Sequence, residues 1–393
     1  MDEGTGYSQP EGTFHEELTR VGRGTPCGEL MRRYWQPVAM ATDATSTPKL
    51  IKALGEELVL FRDGSGRPGL LVPRCVHRGA SLYFGATEEH GLRCCYHGWV
   101  FDAEGYCLEQ PCEPLGGLYR DRVRQPWYPL VEYHGLLFTY MGPPERKPAF
   151  PVYDVFEDPL AEGEAIIADD TSIGSGGPVI CDFNWLQHWE NVMDPFHVPI
   201  LHARFSGTQF VEDMAIMPEV TFSYTPNGVQ SVQLRDLKDG STLRRITEVM
   251  FPNIRVVPSP RLTLGRTASL GWVLPLDDTS FRIYTLARVA ASEAFANRRS
   301  TFGGKPWTEL TEEEHRAMPG DYESQKSQGA FQLHSLESLS TTDQGVTMLR
   351  RSLRRQVELV AAGEDPAGVT YDPEEAKVAI KGGNFILSAA ERG

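Results

Sequence analysis

The 393-residue sequence predicts an α+β protein in which a small all-β domain precedes a larger domain of sheet and helices. Three observations support this prediction. The length is typical of two domains. Short strand-like runs broken by Gly, Pro and Asp occupy the chain up to about residue 150, where a proline-rich stretch marks a boundary. Beyond it, longer alternating segments occur together with helical patterns at 184–203 and 343–361.

In the first part, an N-terminal segment at 1–40 leads from a loop into a short helix. A strand-rich domain follows at 41–150. Its apolar runs are bounded by turn dipeptides, which is typical of a small β-domain. The predicted strands are 50–54, 58–62, 70–72, 98–102 and 134–140.

The second part, residues 151–393, contains apolar and polar residues in alternation over longer windows. This period indicates strands that bury one face, and with the two helical patterns it predicts a curved antiparallel sheet around a pocket. The predicted strands are 165–168, 219–224, 229–234, 244–250, 267–273 and 281–287.

Composition excludes several classes of partner. The net charge of -15 and the lack of long Lys or Arg runs argue against nucleic acid and anionic membranes. No window approaches about 18 consecutive apolar residues, and the opening residues lack a signal-peptide pattern, so we expect a cytoplasmic protein. The seven cysteines are expected to be free thiols and metal ligands, because a chain of this size does not need disulfides.

Two cysteine–histidine pairs form the strongest motif. Cys75 and His77 make a C-x-H pair, and Cys94 and His97 make a C-x2-H pair after sixteen intervening residues. Two thiolates for one iron and two imidazoles for the other are the ligand set of a Rieske [2Fe-2S] centre. A structural Cys2His2 zinc site is the alternative, but such sites usually combine a cysteine pair with a histidine pair.

The residues around these pairs resemble the two cluster-binding loops of the Rieske non-haem iron oxygenases. Gly79 and Gly98 follow the histidines and allow the tight turns that bring backbone N–H groups towards a cluster. Many relatives have proline where this chain has Cys95. We expect Cys95 to pack as a small buried residue, since Cys94 is in register with His97.

A second motif lies in the first helical pattern. Asp194 and His197 are three residues apart and would share one helix face. His197 and His202 would point about 140° apart on a regular α-helix, so they can face one metal only if the helix is broken or widened. Pro199 lies between them and removes a backbone donor. The alternative is that these histidines are hydrogen-bonded core residues.

The string from Glu190 to His202 also resembles the mononuclear-iron signature of the same oxygenases. The resemblance implies that His197, His202 and a later carboxylate bind Fe(II), and that Asp194 and Asn191 have catalytic roles. Spacing alone cannot choose the carboxylate. The phthalate-dioxygenase branch, which the N-terminal stretch at 20–35 also resembles, points to Asp321, eight residues before a glycine; Glu323 and Asp343 are the alternatives.

Several other aromatic and charged residues are expected to have structural roles only. Trp185 and Trp189 are expected in the core, and His188 off the metal face. The arginines at helical spacing near the second helical pattern are expected to form a solvated face: Arg350, Arg351, Arg354 and Arg355.

The resemblance covers residues 18–365 and implies a Rieske domain followed by a helix-grip catalytic domain. It implies a terminal oxygenase subunit that uses O2, a [2Fe-2S] cluster, mononuclear Fe(II) and a separate NAD(P)H-dependent reductase of the flavin or ferredoxin type. The expected reaction is hydroxylation, dihydroxylation or O-demethylation of a small aromatic substrate, with a carboxylate held by Arg204 or Arg255. The family also implies a trimer or stacked trimers, in which Asp194 bridges His197 to the partner subunit's His97.

Two other functions are the alternatives to a terminal oxygenase. An electron-transfer Rieske protein would require a membrane anchor and an additional cysteine pair, and it would not need the second domain. A ligand-binding module without iron would not need His197, His202 and Asp321.

Overall fold

A computed structural model describes residues 6–170, 177–206, 210–291, 305–388 and 391. The predicted segments 1–40 and 151–393 therefore include positions outside the described residues. Within the described ranges, no helix has the length and apolar character needed to cross a membrane.

The first part of the chain is built from short strands in three sheets. Strands β1, β10 and β9 form one sheet, β2 to β4 the second, and β5 to β8 the third. The elements are α1 (Glu16–Thr19), α2 (Pro26–Met31), β1 (Trp35–Met40), β2 (Lys49–Ala53), β3 (Glu56–Arg62), β4 (Pro68–Leu71), β5 (Ala86–Glu88), β6 (Gly91–Arg93), β7 (Val100–Phe101), β8 (Cys107–Glu109), β9 (Leu130–Tyr133) and β10 (Leu136–Tyr140).

The second part is dominated by a mainly antiparallel sheet with helices on one face. Its elements are β11 (Val152–Tyr153), α3 (Asp154–Glu157), β12 (Glu164–Asp169), α4 (Trp185–Asn191), α5 (His197–Ile200), β13 (Glu219–Thr225), β14 (Gly228–Asp236), β15 (Thr242–Met250), β16 (Ile254–Val256), β17 (Gly265–Arg266), β18 (Ser269–Asp277), β19 (Ser280–Ala290), α6 (Glu312–Ala317), α7 (Asp321–Lys326), α8 (Gln344–Ala361), β20 (Lys377–Val378) and β21 (Gly383–Leu387). Along the described strands the order is β12-β19-β18-β16-β15-β14-β13, with β21 paired to β15 and β17.

Helices α4 and α8 pack on the side of this sheet that carries the second candidate site. Helix α8 contacts β13, β14 and α4. Gly345 of α8 allows a close approach, because a Cβ there would lie 2.4 Å from both the Met193 carbonyl oxygen and the Phe222 ring. The helices and the sheet thereby enclose the buried tryptophans Trp185 and Trp189, as predicted.

The two parts share one apolar core. Tyr284 of β19 donates a hydrogen bond to the carbonyl of Val38 at 2.8 Å, and Asn253 donates to Gln36 at 2.9 Å. A separate small core beneath the Cys and His loops includes Phe61, Phe101, Leu71, Leu82 and Leu92. The boundaries at residues 40 and 150 stay predictions.

The α+β class and the long strands of the second part are confirmed. The predicted strand at 134–140 is wrong at its start. His134, with a φ of 47°, and Gly135 form the turn between β9 and β10. The residues of β16 are strand-like in the sequence, as expected for Arg255. Strands β17, β20 and β21 were not predicted, because two to five residues are too few to show a period.

Candidate metal centres

The Cys75 and Cys94 loops have the same backbone geometry. In each loop the cysteine N–H donates to the carbonyl five residues later, Ala80 at 2.9 Å and Trp99 at 2.8 Å. The glycine four residues after each cysteine donates back to the cysteine carbonyl, at 2.8 Å from Gly79 and 3.1 Å from Gly98. A short turn thus places each cysteine and histidine. The Cys75 turn is also held by the buried Gln125, which accepts from the N–H of Val76 at 2.9 Å and donates to the carbonyl of Arg74 at 2.9 Å.

Both glycines adopt left-handed backbone conformations, with φ of 76° at Gly79 and 72° at Gly98. A side chain would be strained there, so these positions favour glycine. The turns bring the rings of His77 and His97 to a centroid distance of 4.5 Å, and the indole of Trp99 stacks on His77 at 4.4 Å.

The prediction that Cys95 is buried is wrong. Cys94 is 3% exposed, whereas Cys95 is exposed. The hydrogen bonds that close the turn lie at Cys94, Gly98 and Trp99, and the residues at its tip, including Tyr96, therefore project into solvent.

The two predicted ligand cysteines, Cys75 and Cys94, are buried and interact with each other. Burial raises the pKa of Cys75 to about 11, and the neighbouring Cys94 contributes to the rise. Among the described residues, the only group of three or more His, Cys, Asp or Glu donors within 4.8 Å lies elsewhere, so these four residues are not gathered around one point. A single tetrahedral zinc needs such gathering, whereas a two-iron cluster spans a longer distance.

The second site lies on an irregular helix. Helix α4 ends at Asn191, and α5 begins at His197 and continues as a π-helical turn at Leu201–Phe205. The wider π turn changes the angle between His197 and His202, whose ring centroids are 5.4 Å apart. The expected break or widening of the helix is confirmed.

Asp321, at the start of α7, completes a compact group. Its Oδ1 lies 3.2 Å from Nε2 of His202 and 3.5 Å from Nε2 of His197. One donor atom from each of the three residues lies within 4.8 Å of the others. Asn191 donates from Nδ2 to the same Oδ1 at 3.3 Å, which orients the carboxylate.

Neighbouring charges shift the pKa values of Asp321 and His197. Burial alone would raise the pKa of Asp321, but the imidazoles of His202 and His197 outweigh it and hold the pKa well below its usual range. Burial would lower the pKa of His197, but Asp194 and Asp321 raise it. The carboxylate is therefore ionised at neutral pH, which metal coordination requires.

Asp194 stands directly behind His197. Its Oδ2 is 3.5 Å from Nδ1 of His197, and its Oδ1 accepts a hydrogen bond from the N–H of Phe196 at 3.0 Å. The Nε2 atom of His197 remains directed towards Asp321. The contact to Nδ1 is longer than a good hydrogen bond, and Nδ1 has no hydrogen-bond partner among the described residues, so Asp194 acts on the imidazole mainly through its charge.

The alternative carboxylates have other partners. Glu323 accepts hydrogen bonds from Trp307, His315 and Gly320. Asp343 accepts from the N–H and hydroxyl of Ser340, at 2.7 and 3.2 Å. Of the three candidates, the fold brings only Asp321 into the histidine group.

His188 lies outside the donor group but close to it. Its Nδ1 is 3.0 Å from Oε1 of Gln325 on α7, and its Nε2 is buried with no hydrogen-bond partner in the part of the chain that the structure describes. Burial and the charge of Arg255 lower the pKa of His188 to about 3, so the ring is neutral at pH 7. Neither Gln325 nor this pairing could be found from the sequence, because the two residues are 137 positions apart.

One part of the predicted arginine face is wrong. Arg350 is buried and pairs with Glu190 through Nε at 2.6 Å and Nη2 at 2.7 Å, and its guanidinium also contacts Glu337. These pairs tie α8 to α4 immediately before Asn191. The charge pattern of a helix cannot show such a partner, because Glu190 lies 160 positions away.

The donors fit the metals that the sequence predicts. Two imidazoles and an ionised carboxylate are the ligand type of non-haem Fe(II) sites, which keep open positions for other ligands. The paired cysteines and paired histidines of the loops match the two unlike irons of a Rieske cluster.

Comparisons with known proteins support the predicted family and the two kinds of cofactor. Residues 34–123 match the Rieske [2Fe-2S] domain family. The chain is 49% identical to the phenoxybenzoate dioxygenase subunit alpha of Ectopseudomonas oleovorans, over 98% of this chain and 95% of that protein. It is 36% identical to the tert-butanol monooxygenase / tert-amyl alcohol desaturase oxygenase subunit of Aquincola tertiaricarbonis, over 94% and 80%.

Solved structures show the same fold. The structure of dicamba monooxygenase bound to dicamba aligns with a TM-score of 0.60 and 17% identity, over 84% of this chain and 99% of that chain. At this identity the likeness concerns the fold alone.

Proposed function

Because the chain belongs to the Rieske non-haem iron oxygenases, as a terminal oxygenase subunit, we propose that it oxygenates a small aromatic carboxylate. The proposed reaction uses O2 and electrons from a separate NAD(P)H-dependent reductase in the cytoplasm. It hydroxylates, dihydroxylates or O-demethylates the substrate. The observation that carries the proposal is the convergence of His197, His202 and Asp321 in a chain that also has the two Rieske loops.

We assign the cofactors to named residues. Cys75 and Cys94 hold one iron of the cluster, and His77 and His97 hold the other. His197, His202 and Asp321 hold the mononuclear iron. When bound, the cluster supplies single electrons and the mononuclear iron supplies O2 activation.

The protein supplies orientation and charge. Asn191 holds the Asp321 carboxylate through a hydrogen bond of 3.3 Å, and the Asp194 carboxylate lies 3.5 Å from Nδ1 of His197. The ionised Asp321 partly offsets the charge of a divalent metal. These contacts keep the donor atoms oriented before a metal binds, which is the usual role of residues behind metal ligands.

Arg255 is the residue that we assign to the substrate carboxylate. It lies on β16 opposite Val249, on the face of the sheet that turns towards α4. Burial lowers its pKa to about 10, and Asp321 and Cys181 act in the opposite direction. Its Nε is buried without a partner, and no hydrogen bond or ion pair joins its side chain to any described residue.

A half-buried guanidinium that lacks an ion-pair partner among the described residues is unfavourable, and a bound carboxylate would relieve this cost through two parallel hydrogen bonds. Gly271, opposite Arg255 on β18, leaves room for the side chain, because a Cβ there would lie 2.7 Å from Nε. The other candidate, Arg204, is exposed to solvent.

The test is substrate-dependent O2 consumption with product identification, using aromatic acids and the matching primary amides. The acids should be oxidised and the amides should not. Arg255→Met should raise KM for the acids by about 10- to 100-fold, the value of a charge-assisted hydrogen bond, while Arg204→Met should leave KM unchanged. Activity on the amides alone would overturn the carboxylate assignment.

We also propose that the subunits associate head to tail in a closed trimer, single or stacked, and that electrons cross between subunits. In this arrangement Asp194 lies between His197 and His97 of the partner subunit. The support is the family membership and the position of Asp194, whose side chain is 35% exposed while it contacts His197.

A further inference from the structure

We infer that Glu323 is the positioning residue for the Asp321 carboxylate, acting through the N-terminus of helix α7. The inference rests on the proposed role of Asp321 as an iron ligand. Glu323 was an alternative ligand on sequence grounds. Side chains two positions apart on an α-helix point about 200° apart. Glu323 therefore points away from the side on which Asp321 meets the histidines.

Both oxygens of Glu323 are occupied by donors. Oε1 accepts from the indole Nε1 of Trp307 at 2.8 Å and lies 2.8 Å from Nδ1 of His315. Oε2 accepts from the N–H of Gly320 at 2.8 Å. The carboxylate is 20% exposed, so these bonds are partly shielded from water.

The bond to Gly320 acts on the residue that precedes Asp321. Because glycine has no side chain, only the return bond from Glu323 can cap the start of α7. The preceding residue, Pro319, is held as well, since its carbonyl accepts from the hydroxyl of Ser206 at 2.6 Å. Ser206 directly follows the π-helical turn that carries His202.

Trp307 and His315, the two side chains that contact Oε1 of Glu323, also pack against each other. The indole contacts the His315 ring at a centroid distance of 4.9 Å and the Tyr322 ring at 4.9 Å, edge-on. Glu323 therefore joins three segments, at Trp307, at α6 and at the turn before α7. Asp321 is therefore supported on one side by the contacts of Glu323 and on the other side by Asn191.

The inference predicts an effect on metal affinity. Replacing a residue that orients a metal ligand typically lowers affinity 10- to 100-fold. Glu323→Ala removes all three acceptor contacts and should weaken Fe(II) binding within this range. Glu323→Gln keeps one acceptor oxygen and should restore most of the affinity. Trp307→Phe removes one donor and should have an intermediate effect.

The measurement is Fe(II) titration of trimeric protein whose mononuclear iron has been removed by a chelator while the cluster absorbance is retained. Glu313→Ala is the matched control, since this carboxylate is exposed on α6. An unchanged affinity in Glu323→Ala, with normal folding, would overturn the inference. If Glu323→Ala does not fold, the order of Glu323→Gln and Trp307→Phe decides instead, and wild-type affinity in Trp307→Phe would overturn it.

Asp321→Ala is titrated in parallel to separate the two proposals. Loss of Fe(II) binding in Asp321→Ala with wild-type binding in Glu323→Ala would reject only the positioning role. Wild-type binding in Asp321→Ala would reject the ligand assignment on which the proposed function rests.

Discussion

The two candidate metal centres are built in different ways. Each cluster loop is closed by hydrogen bonds between residues four and five positions apart, and a glycine with positive φ completes each turn. The mononuclear site instead joins residues that are 119 positions apart, His202 and Asp321, on separate helices.

The supporting contacts differ accordingly. The cluster loops rest on a small apolar core of their own. The proposed mononuclear ligands contact polar side chains from other positions, with Asn191 beside Asp321 and Asp194 beside His197, and we infer that Glu323 adds a third support through Gly320. The first kind of site should fail when a ligand or a turn is changed, and the second when any of many distant contacts is changed.

The largest expected effect separates Cys94 from Cys95. Cys94→Ala should abolish the Rieske EPR signal of the reduced protein, because a buried thiolate ligand is lost. Cys95→Ala should keep the signal, since this side chain is exposed. The reverse result would show that the second cysteine of the pair is the ligand.

Loss of the mononuclear ligands should leave the cluster intact. His197→Ala, His202→Ala and Asp321→Ala should each bind little Fe(II) and consume no O2 with substrate, while the EPR signal stays unchanged. Asp343→Asn is the control and should bind iron normally, because Asp343 bonds to Ser340 instead. If Asp343→Asn loses the iron and Asp321→Ala retains it, Asp343 and not Asp321 is the third ligand.

Asp194→Asn should affect the link between the centres more than either centre. Much of the iron should remain bound and the cluster should be reducible. Reoxidation of the reduced cluster in a single turnover should slow by orders of magnitude, as measured by stopped-flow absorbance.

Mixed trimers test whether that link crosses between subunits. Subunits defective at His97 combined with subunits defective at His197 should regain part of the activity, since some interfaces then join an intact cluster to an intact iron. If trimers that are shown to be mixed regain no activity, electrons must pass between the cluster and the mononuclear iron within one chain.

The smallest expected effect concerns the two loop glycines. Gly79→Ala should cost about 1 kcal/mol of stability, because alanine is strained at positive φ while nothing lies within 4 Å of the new Cβ. Gly98→Ala should cost more, since its Cβ would lie 2.8 Å from Cγ of Pro111. Urea unfolding followed by cluster absorbance measures both; equal costs would contradict the packing difference.

Local patterns were sufficient for much of this protein. The cluster pairs, the turn glycines, the long strands of the second sheet and the irregular helix around Pro199 are all visible in short windows of sequence. Hydrophobic period and backbone restriction act over a few residues, which is why these features could be predicted without knowing the fold.

Other features depend on residues that meet only in the folded chain. The fold brings Asp321 beside the histidines and places Glu323 in hydrogen-bond contact with Trp307 and His315. It buries Arg350 between Glu190 and Glu337, and among the described residues it gives Arg255 no ion-pair partner. A charged residue has the same local sequence signal whether it binds a metal, caps a helix or lies in solvent. Its partner and its burial decide its role, and both are set by the tertiary structure.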